Sequence, residues 1–302
     1  MSVIATILLL ISAFTHAGWN LISKKEHPTH AFFLVANTIG AISIFPILLF
    51  FRKQVPLIPT TVWLFVAMSG FFLAAYMATL AGAYRNGDIS IVYPIVRSLP
   101  VIFVFTATLA LGKGHEISWL LVLGIILVAT GCMVLPMKSF GDFRFRNYQN
   151  TYCFLALLSA IGVAGYTIVD DEALRRLREL AGMPFKPVEG TLVYLALEGI
   201  SCSIWQGVFM LFVPGEKKHM IEVIKRSKSA AAITGIGIYL TYGLVLASMN
   251  YVTNVSYVAA FRQLSIVLGA IFGMTLLSEP RYFPKAMGII AIFFGLILTG
   301  IG

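Results

Sequence analysis

Arg97 and Arg262 are each the tenth residue of a long apolar run, Asp88–Leu111 and Thr253–Leu277. A charge held at bilayer depth costs roughly 2.5–3.5 kcal/mol or more, so a chain that carries two at matching depth has a use for them. A guanidinium there can bind an anionic group on a solute or balance an acid. His16 stands in the first apolar run with Ser12, Trp19 and Asn20 on the same helical face. Its imidazole titrates near neutral pH and could exchange protons; the alternative is a hydrogen-bonded contact between helices. Glu198 is the acid farthest from any end of an apolar run and shares a stripe with Tyr194, Ser201 and Trp205. Three roles are open to it: a proton-coupling carboxylate, a counter-ion for Arg97 or Arg262, or recognition of a cationic group. Two buried cations need compensation, which favours the counter-ion. Tyr93 lies one turn before Arg97, and Tyr76, Trp205, Tyr239 and Tyr242 are aromatic residues able to wall a cavity or simply to pack. Gly-rich phosphate loops, metal-ligand histidine pairs and nucleophile–base spacings are absent from the sequence, which argues against an enzyme and a resident cofactor.

The elements that hold these residues are set by composition. Of 302 residues 59% are hydrophobic and 12% charged, against about 45–50% and about 25% in soluble domains. Ten windows have the roughly 20 apolar residues a spanning helix needs, from Val3–Ile22 through Thr151–Val169 and Gly190–Val213 to Pro284–Gly302. The expected class is an all-α membrane protein with ten transmembrane helices and no separate soluble domain. The first window lacks a basic flank and a clean cleavage site, so it reads as a span and not as a secretory signal. Cys132, Cys153 and Cys202 fall at or within windows at no metal spacing and read as packing residues. The net charge of +9 does not imply nucleic acid. Of the 22 Lys and Arg, thirteen lie in loops after odd-numbered spans, seven in loops after even-numbered ones, and two are the buried arginines. Basic loops stay in the cytoplasm, so this asymmetry favours both termini outside.

The windows also repeat. A shift of 165 places Arg97 on Arg262 and Leu111 on Leu276, and a shift of 164 places Gly124 and Gly131 on Gly288 and Gly295. A shift of 147 pairs Ser12, Ala13, Ala17, Gly18 and Trp19 with Ser159, Ala160, Ala164, Gly165 and Tyr166. Residues 1–137 and 151–302 are therefore expected to be five-helix repeats joined by a polar linker, 138–150. Two sequential units of five spans must cross the membrane in opposite senses. Such inverted repeats support alternating access around a site near the midplane; the alternative is duplication that merely enlarged a bundle. The extra residues of the second half, largely Asp171–Glu189, read as an amphipathic extension of the sixth span. Asp171/Arg175 and Glu172/Arg176 stand at i,i+4 spacing there, Leu174, Leu177 and Leu180 line one face, and a solvated cap is the expected role.

Pro94 and Pro100 bracket Arg97. Proline lacks an N–H, so the carbonyls of Ser90 and Val96 lose partners, which suits a cavity wall better than a lipid face. Ser265, Gly269 and Gly273 share a face with Arg262 and suggest close helix packing. Arg97 is thus expected to be the wetter of the two.

The segment Ser12-Ala-Phe-Thr-His-Ala-Gly-Trp-Asn20, the segment Gly87-Asp-Ile-Ser-Ile-Val-Tyr-Pro-Ile-Val-Arg97 and the ending Leu276-Leu-Ser-Glu-Pro280 together resemble the drug/metabolite transporter superfamily, in its ten-helix form with two EamA-type repeats. The resemblance covers nearly the whole chain. It implies secondary transport without ATP, often export, of metabolites, amino acids or hydrophobic compounds. Because relatives also carry sugar-nucleotides and phosphorylated sugars, it allows an anionic substrate on Arg97. Two departures stand out: Gly112-Lys-Gly114 replaces the acid that often closes the fourth span, leaving Glu279 alone in that position, and members are usually drawn with cytoplasmic termini.

The sequence therefore leads to the expectation of a multi-pass protein of the cell membrane. It would carry a small organic solute by alternating access, driven by an ion gradient, here protons, with no cofactor. Its partners would be the solute and the lipid bilayer, and it would act as a monomer or homodimer. The pathway residues would be His16, Asn20, Tyr93, Arg97, Glu198, Trp205, Tyr242 and Arg262. A non-transporting membrane interaction protein is the rival reading, and a membrane-embedded enzyme a more distant one.

Overall fold

A computed structural model describes residues 2–26, 29–86, 89–142, 149–179, 185–213, 215–276 and 280–302. Within these, the side chains of residues 24–25, 84–86, 89–91, 93–94, 116, 142 and 276 lie outside the description. Every long element is a helix: α1 (Val3–Lys25), α2 (His30–Ile44), α3 (Pro46–Phe50), α4 (Thr60–Asn86), α5 (Ile89–Ala110), α6 (Trp119–Val134), α7 (Thr151–Glu179), α8 (Pro187–Phe212), α9 (Glu216–Arg226), α10 (Lys228–Ser248), α11 (Val255–Phe261), α12 (Leu264–Leu276) and α13 (Phe283–Ile301). Helix starts fall where side chains can take up free N–H groups. Ser2, Thr29, Ser118 and Asn254 accept from Ala5, Phe32, Leu121 and Ser256. Gly112, at φ 78°, ends the α5 segment in the left-handed conformation that glycine adopts without a Cβ penalty.

Among the described residues, eight helical segments are long and apolar enough to cross a membrane. Two shorter apolar helices, Ile95–Ala110 and Trp119–Val134, accompany them. Apolar side chains on the outside, such as Phe14, Leu49, Ile204, Ile236 and Phe293, are exposed and coat the bundle where a span would face lipid.

The principal packings come in reciprocal pairs. α4 lies on α7 as α10 lies on α1, α4 on α8 as α10 on α2, and α5 on α7 as α12 on α1. The pair α6 with α13 is built on glycine. A Cβ on Gly124 would stand 2.7 Å from Gly295 O, and one on Gly131 would stand 2.8 Å from Gly288 O. Backbones approach this closely only where small residues face each other.

Pro94 and Pro100 bracket Arg97 within a continuous α5, which runs from Ile89 to Ala110. The break falls in the proline-free counterpart, at Arg262–Gln263 between α11 and α12. There Gln263 N–H turns back to Ala260 O instead of Ala259 O. The Gln263 side-chain amide then takes the freed Ala259 carbonyl at 3.1 Å, and Ser265 Oγ takes Arg262 O at 2.8 Å. Freed backbone groups in an apolar medium must be re-satisfied in this way. One expectation of the fold is corrected, that for the extension of the sixth span. It does continue as α7, but Asp171 pairs with Lys113 at 3.0 Å and not with Arg175. Glu172 binds both Arg175 and Arg176, and Ala173, Leu174 and Leu177 are buried in the core, so this turn is packed as well as solvated; Leu180 lies outside the described residues. The segment before the eighth span folds as a separate helix, α9, with Val223 buried and Ile221 and Ile224 exposed.

Candidate solute-binding cavity

A cavity of 1160 Å³ occupies the middle of the bundle and is lined from α1, α2, α4, α5, α7, α8, α10 and the α11–α12 break. Among the described residues its lining reaches one end of the bundle only. Ser23 at the end of α1, Thr29 and His30 at the start of α2, Ala81 near the end of α4, and Glu216 and His219 of α9 all stand at that mouth. In the opposite direction α7 and α10 run into a solid core, where Leu174, Leu246, Met249 and Val258 are fully buried. At the mouth, Glu216 accepts from Ala31 N–H at 2.8 Å and so ties α9 to the first turn of α2.

Six of the eight residues expected on the pathway line this cavity: His16, Asn20, Arg97, Glu198, Tyr242 and Arg262. His16 stacks on Trp19, ring centroids 4.7 Å apart, and its Nε2 is buried with no hydrogen-bond partner among the described residues. The helix contact that was its alternative role is made by its neighbours. Ser12 donates to Thr241 O at 2.9 Å and Trp19 Nε1 to Thr241 Oγ1 at 3.2 Å. Trp205 is a correction: it points away from the cavity, donates to Ala67 O at 3.1 Å, and packs on Phe71. The side chain of Tyr93 lies outside the described residues.

The helix break at Arg262 aims its guanidinium into the cavity floor. Nη2 donates to Tyr166 Oη at 2.8 Å and Nη1 to Thr167 Oγ1 at 3.4 Å. The guanidinium carbon lies 5.5 Å from the Tyr166 ring and 5.6 Å from the Tyr242 ring, within cation–π range. Ser265, Gly269 and Gly273, expected to pack tightly, line the cavity instead, and a Cβ on Gly269 would meet nothing within 4 Å. These small residues leave room; they do not close a contact.

Behind Tyr242, one turn deeper along α7 than Tyr166, lies Asp170, fully buried. Its Oδ1 accepts from Ser69 Oγ at 2.5 Å and from Tyr194 Oη at 2.7 Å, and Tyr242 Oη donates to its Oδ2. Ser69 Oγ is also 2.9 Å from Glu198 Oε1, so two buried carboxyl groups meet on one hydroxyl. Glu198 therefore joins Ser69 and not an arginine, unlike the counter-ion arrangement the sequence favoured.

A central, one-ended, partly charged cavity in a membrane bundle fits a solute pathway, and comparison narrows the kind. Residues 3–137 match the EamA-like transporter family, a domain of the drug/metabolite transporter superfamily. Residues 3–137 are thus similar to an EamA-like transporter domain. With eight apolar helices of spanning length, the described residues have the make-up of a multi-pass integral membrane protein. No curated protein matches the chain. A protein solved by crystallography shares its fold, with a TM-score of 0.69 at 15% identity over 98% of this chain and 97% of that one.

Sequence reading of this chain missed Asp170 and Ser69. Asp170 begins the run Asp170-Asp-Glu172, and that run reads as the acidic first turn of a surface helix. The signal that separates Asp170 from its neighbours is helical phase: it lies four residues after Tyr166, on the stripe that holds the repeat counterpart of Trp19. Ser69 had no signal, being one serine in an apolar span.

Proposed function

We propose that this EamA-type protein is a proton-coupled secondary carrier that moves a small organic solute by alternating access, loading it from the cytoplasm for export. The observation that carries this reading is the 1160 Å³ cavity, open toward one end and lined from both halves of the chain, with Arg97 and Arg262 on its wall. The two guanidinium groups favour a solute bearing an anionic group, and Tyr76, Tyr166 and Tyr242 supply rings for its apolar part.

Alternating access follows if residues 151–302 form a second EamA-type repeat, inverted relative to 1–137, giving ten spans. The glycine contacts support this. By the 164-residue shift Gly124 corresponds to Gly288 and Gly131 to Gly295, so the contacts Gly124·Gly295 and Gly131·Gly288 are images of each other under exchange of the halves. That pattern is what a two-fold axis between antiparallel copies produces, and the reciprocal packings of α4, α7, α10 and α1 obey it too. Exchanging the conformations of the halves then seals the present mouth and opens the other end.

The test is counterflow and pH-driven flux in proteoliposomes, over a panel of amino acids, phosphorylated sugars and lipophilic cations. Flux of one solute class that follows an imposed pH gradient is expected. Arg97→Gln should abolish it while the protein stays monodisperse; Arg262→Gln should lower flux less and stability more, since it strips Tyr166 and Tyr242 of their cation. Absence of flux for every class would favour a non-transporting membrane protein.

A further inference from the structure

The floor of the cavity presents a counting problem in hydrogens. Ser69 Oγ is within hydrogen-bond distance of Asp170 Oδ1 (2.5 Å) and of Glu198 Oε1 (2.9 Å). A serine hydroxyl has one hydrogen to donate. If both carboxyls were ionised, one of the two contacts would set a carboxylate against a bare hydroxyl oxygen. Both contacts become hydrogen bonds only when one carboxyl carries a proton and donates it to Ser69 Oγ while Ser69 donates to the other.

The surroundings decide which is which. Asp170 already accepts from Ser69, Tyr194 and Tyr242, three donors that suit an anion. Among the described residues Glu198 has Ser69 alone, its buried Oε2 has no partner, and the residue, 1% exposed, lines the cavity. Charge balance gives the same answer independently. Arg262 supplies one positive charge against the Tyr166 and Tyr242 rings, and a desolvated cluster is least costly when its net charge is zero. One ionised and one protonated carboxyl achieve that; two carboxylates leave an excess negative charge. The other groups facing the pair are neutral: Tyr194 and Cys202 on α8, and Tyr239 and Tyr242 on α10. α3 carries no ionisable side chain, His30 of α2 meets α8 farther along at Gln206, and Arg97 of α5 stands on the cavity wall.

We propose that Asp170 and Glu198 form a proton-binding site in the cavity floor, holding one proton on Glu198 that is donated to Ser69 Oγ while Ser69 donates its own hydrogen to the Asp170 carboxylate. The site rests on the carrier reading for its purpose but not for its existence. The proton ties α4, α7 and α8 together between the cavity and the sealed core. Its loss to water leaves two carboxylates to share one serine hydrogen, and the floor loosens. Binding and release are thus a single proton exchanged between the carboxyl of Glu198 and solvent.

The full-length protein in nanodiscs at neutral pH tests this by infrared spectroscopy, with no solute required. The carbonyl stretch of an un-ionised buried carboxylic acid is expected, shifting in deuterium oxide. It should vanish in Glu198→Gln, whose amide can replace the proton-bearing oxygen and preserve the fold, and should move to higher frequency in Ser69→Ala as its hydrogen bond is lost. Absence of the band from the unmodified protein, or its survival unchanged in Glu198→Gln, would overturn the site. Because this readout is independent of flux, a band with no transport of any solute would sink the carrier reading and leave the proton site standing. Proton-driven transport without the band would do the reverse.

Discussion

Tyr242 has two jobs that one substitution can separate. Its ring lies under the Arg262 guanidinium, and its hydroxyl donates to Asp170. Tyr242→Phe keeps the ring and removes the donor to a charged acceptor, a bond of about 1.5–3 kcal/mol. Tyr239 is a control on the same helix: its hydroxyl donates to the neutral Asn37 Oδ1 at 3.1 Å, a bond of about 0.5–1.5 kcal/mol. Unfolding in graded denaturing detergent should therefore show Tyr242→Phe losing clearly more stability than Tyr239→Phe. Equal losses would mean that Asp170 is not the anion of the pair. At this scale the sequence was a partial guide. Charged residues within apolar runs announced Arg97, Arg262 and Glu198, because intramembrane charge is rare enough to be a signal. Asp170 was concealed by two acidic neighbours outside the membrane, and Trp205 misled because an aromatic residue one helical face from Glu198 need not point where Glu198 points.

The helices themselves were legible to the extent that they are uniformly apolar. Length and hydropathy located the spans, and the shift of 164 residues located the glycines that meet between α6 and α13. The break between α11 and α12 was not legible, because it is made by the side chains of Gln263 and Ser265 capping carbonyls, with no proline or glycine to mark it. α9 was missed for the opposite reason: Glu216–Arg226 is short and rich in charge, so a loop composition hides a helix that lies across the bundle end. The glycine pair gives the element-scale prediction. Gly131→Ala would press a methyl against Gly288 O and Ile292, and its counterpart Gly295→Ala would press one against Gly124 O and Val128. Overpacking of this kind costs about 1–3 kcal/mol. If the two halves are related by a two-fold axis, the two variants should lose similar stability, and the double variant should lose close to their sum, since the methyls enter two separate contacts. Gly207→Ala in α8, where a Cβ meets nothing within 4 Å, should be neutral or gain up to about 1 kcal/mol from helix propensity. A large loss at Gly131 with none at Gly295 would speak against the symmetric contact.

For the molecule as a whole, the argument turns on which end is open and which side of the membrane that end faces. The mouth lies where α1, α4 and α8 end and α2, α7 and α9 begin, and both termini lie at the opposite end of the bundle. The loops at the mouth end follow odd-numbered spans and hold thirteen of the 22 Lys and Arg, against seven at the other end. The excess supports the proposed orientation, with the mouth in the cytoplasm and the termini outside, contrary to the usual drawing of such carriers. In a variant lacking Cys132, Cys153 and Cys202, all buried, single cysteines can report both points. Ala81→Cys lies on the mouth wall and Leu174→Cys in the sealed core. A membrane-impermeant maleimide should modify Ala81→Cys from the cytoplasmic side only and leave Leu174→Cys untouched from either side. Modification of Ala81→Cys from outside alone would reverse the orientation and turn the loading step into one for import. Equal reactivity at both positions would show a cavity open to both ends, which no alternating carrier can tolerate, because a solute could then cross without any exchange of conformations between the halves.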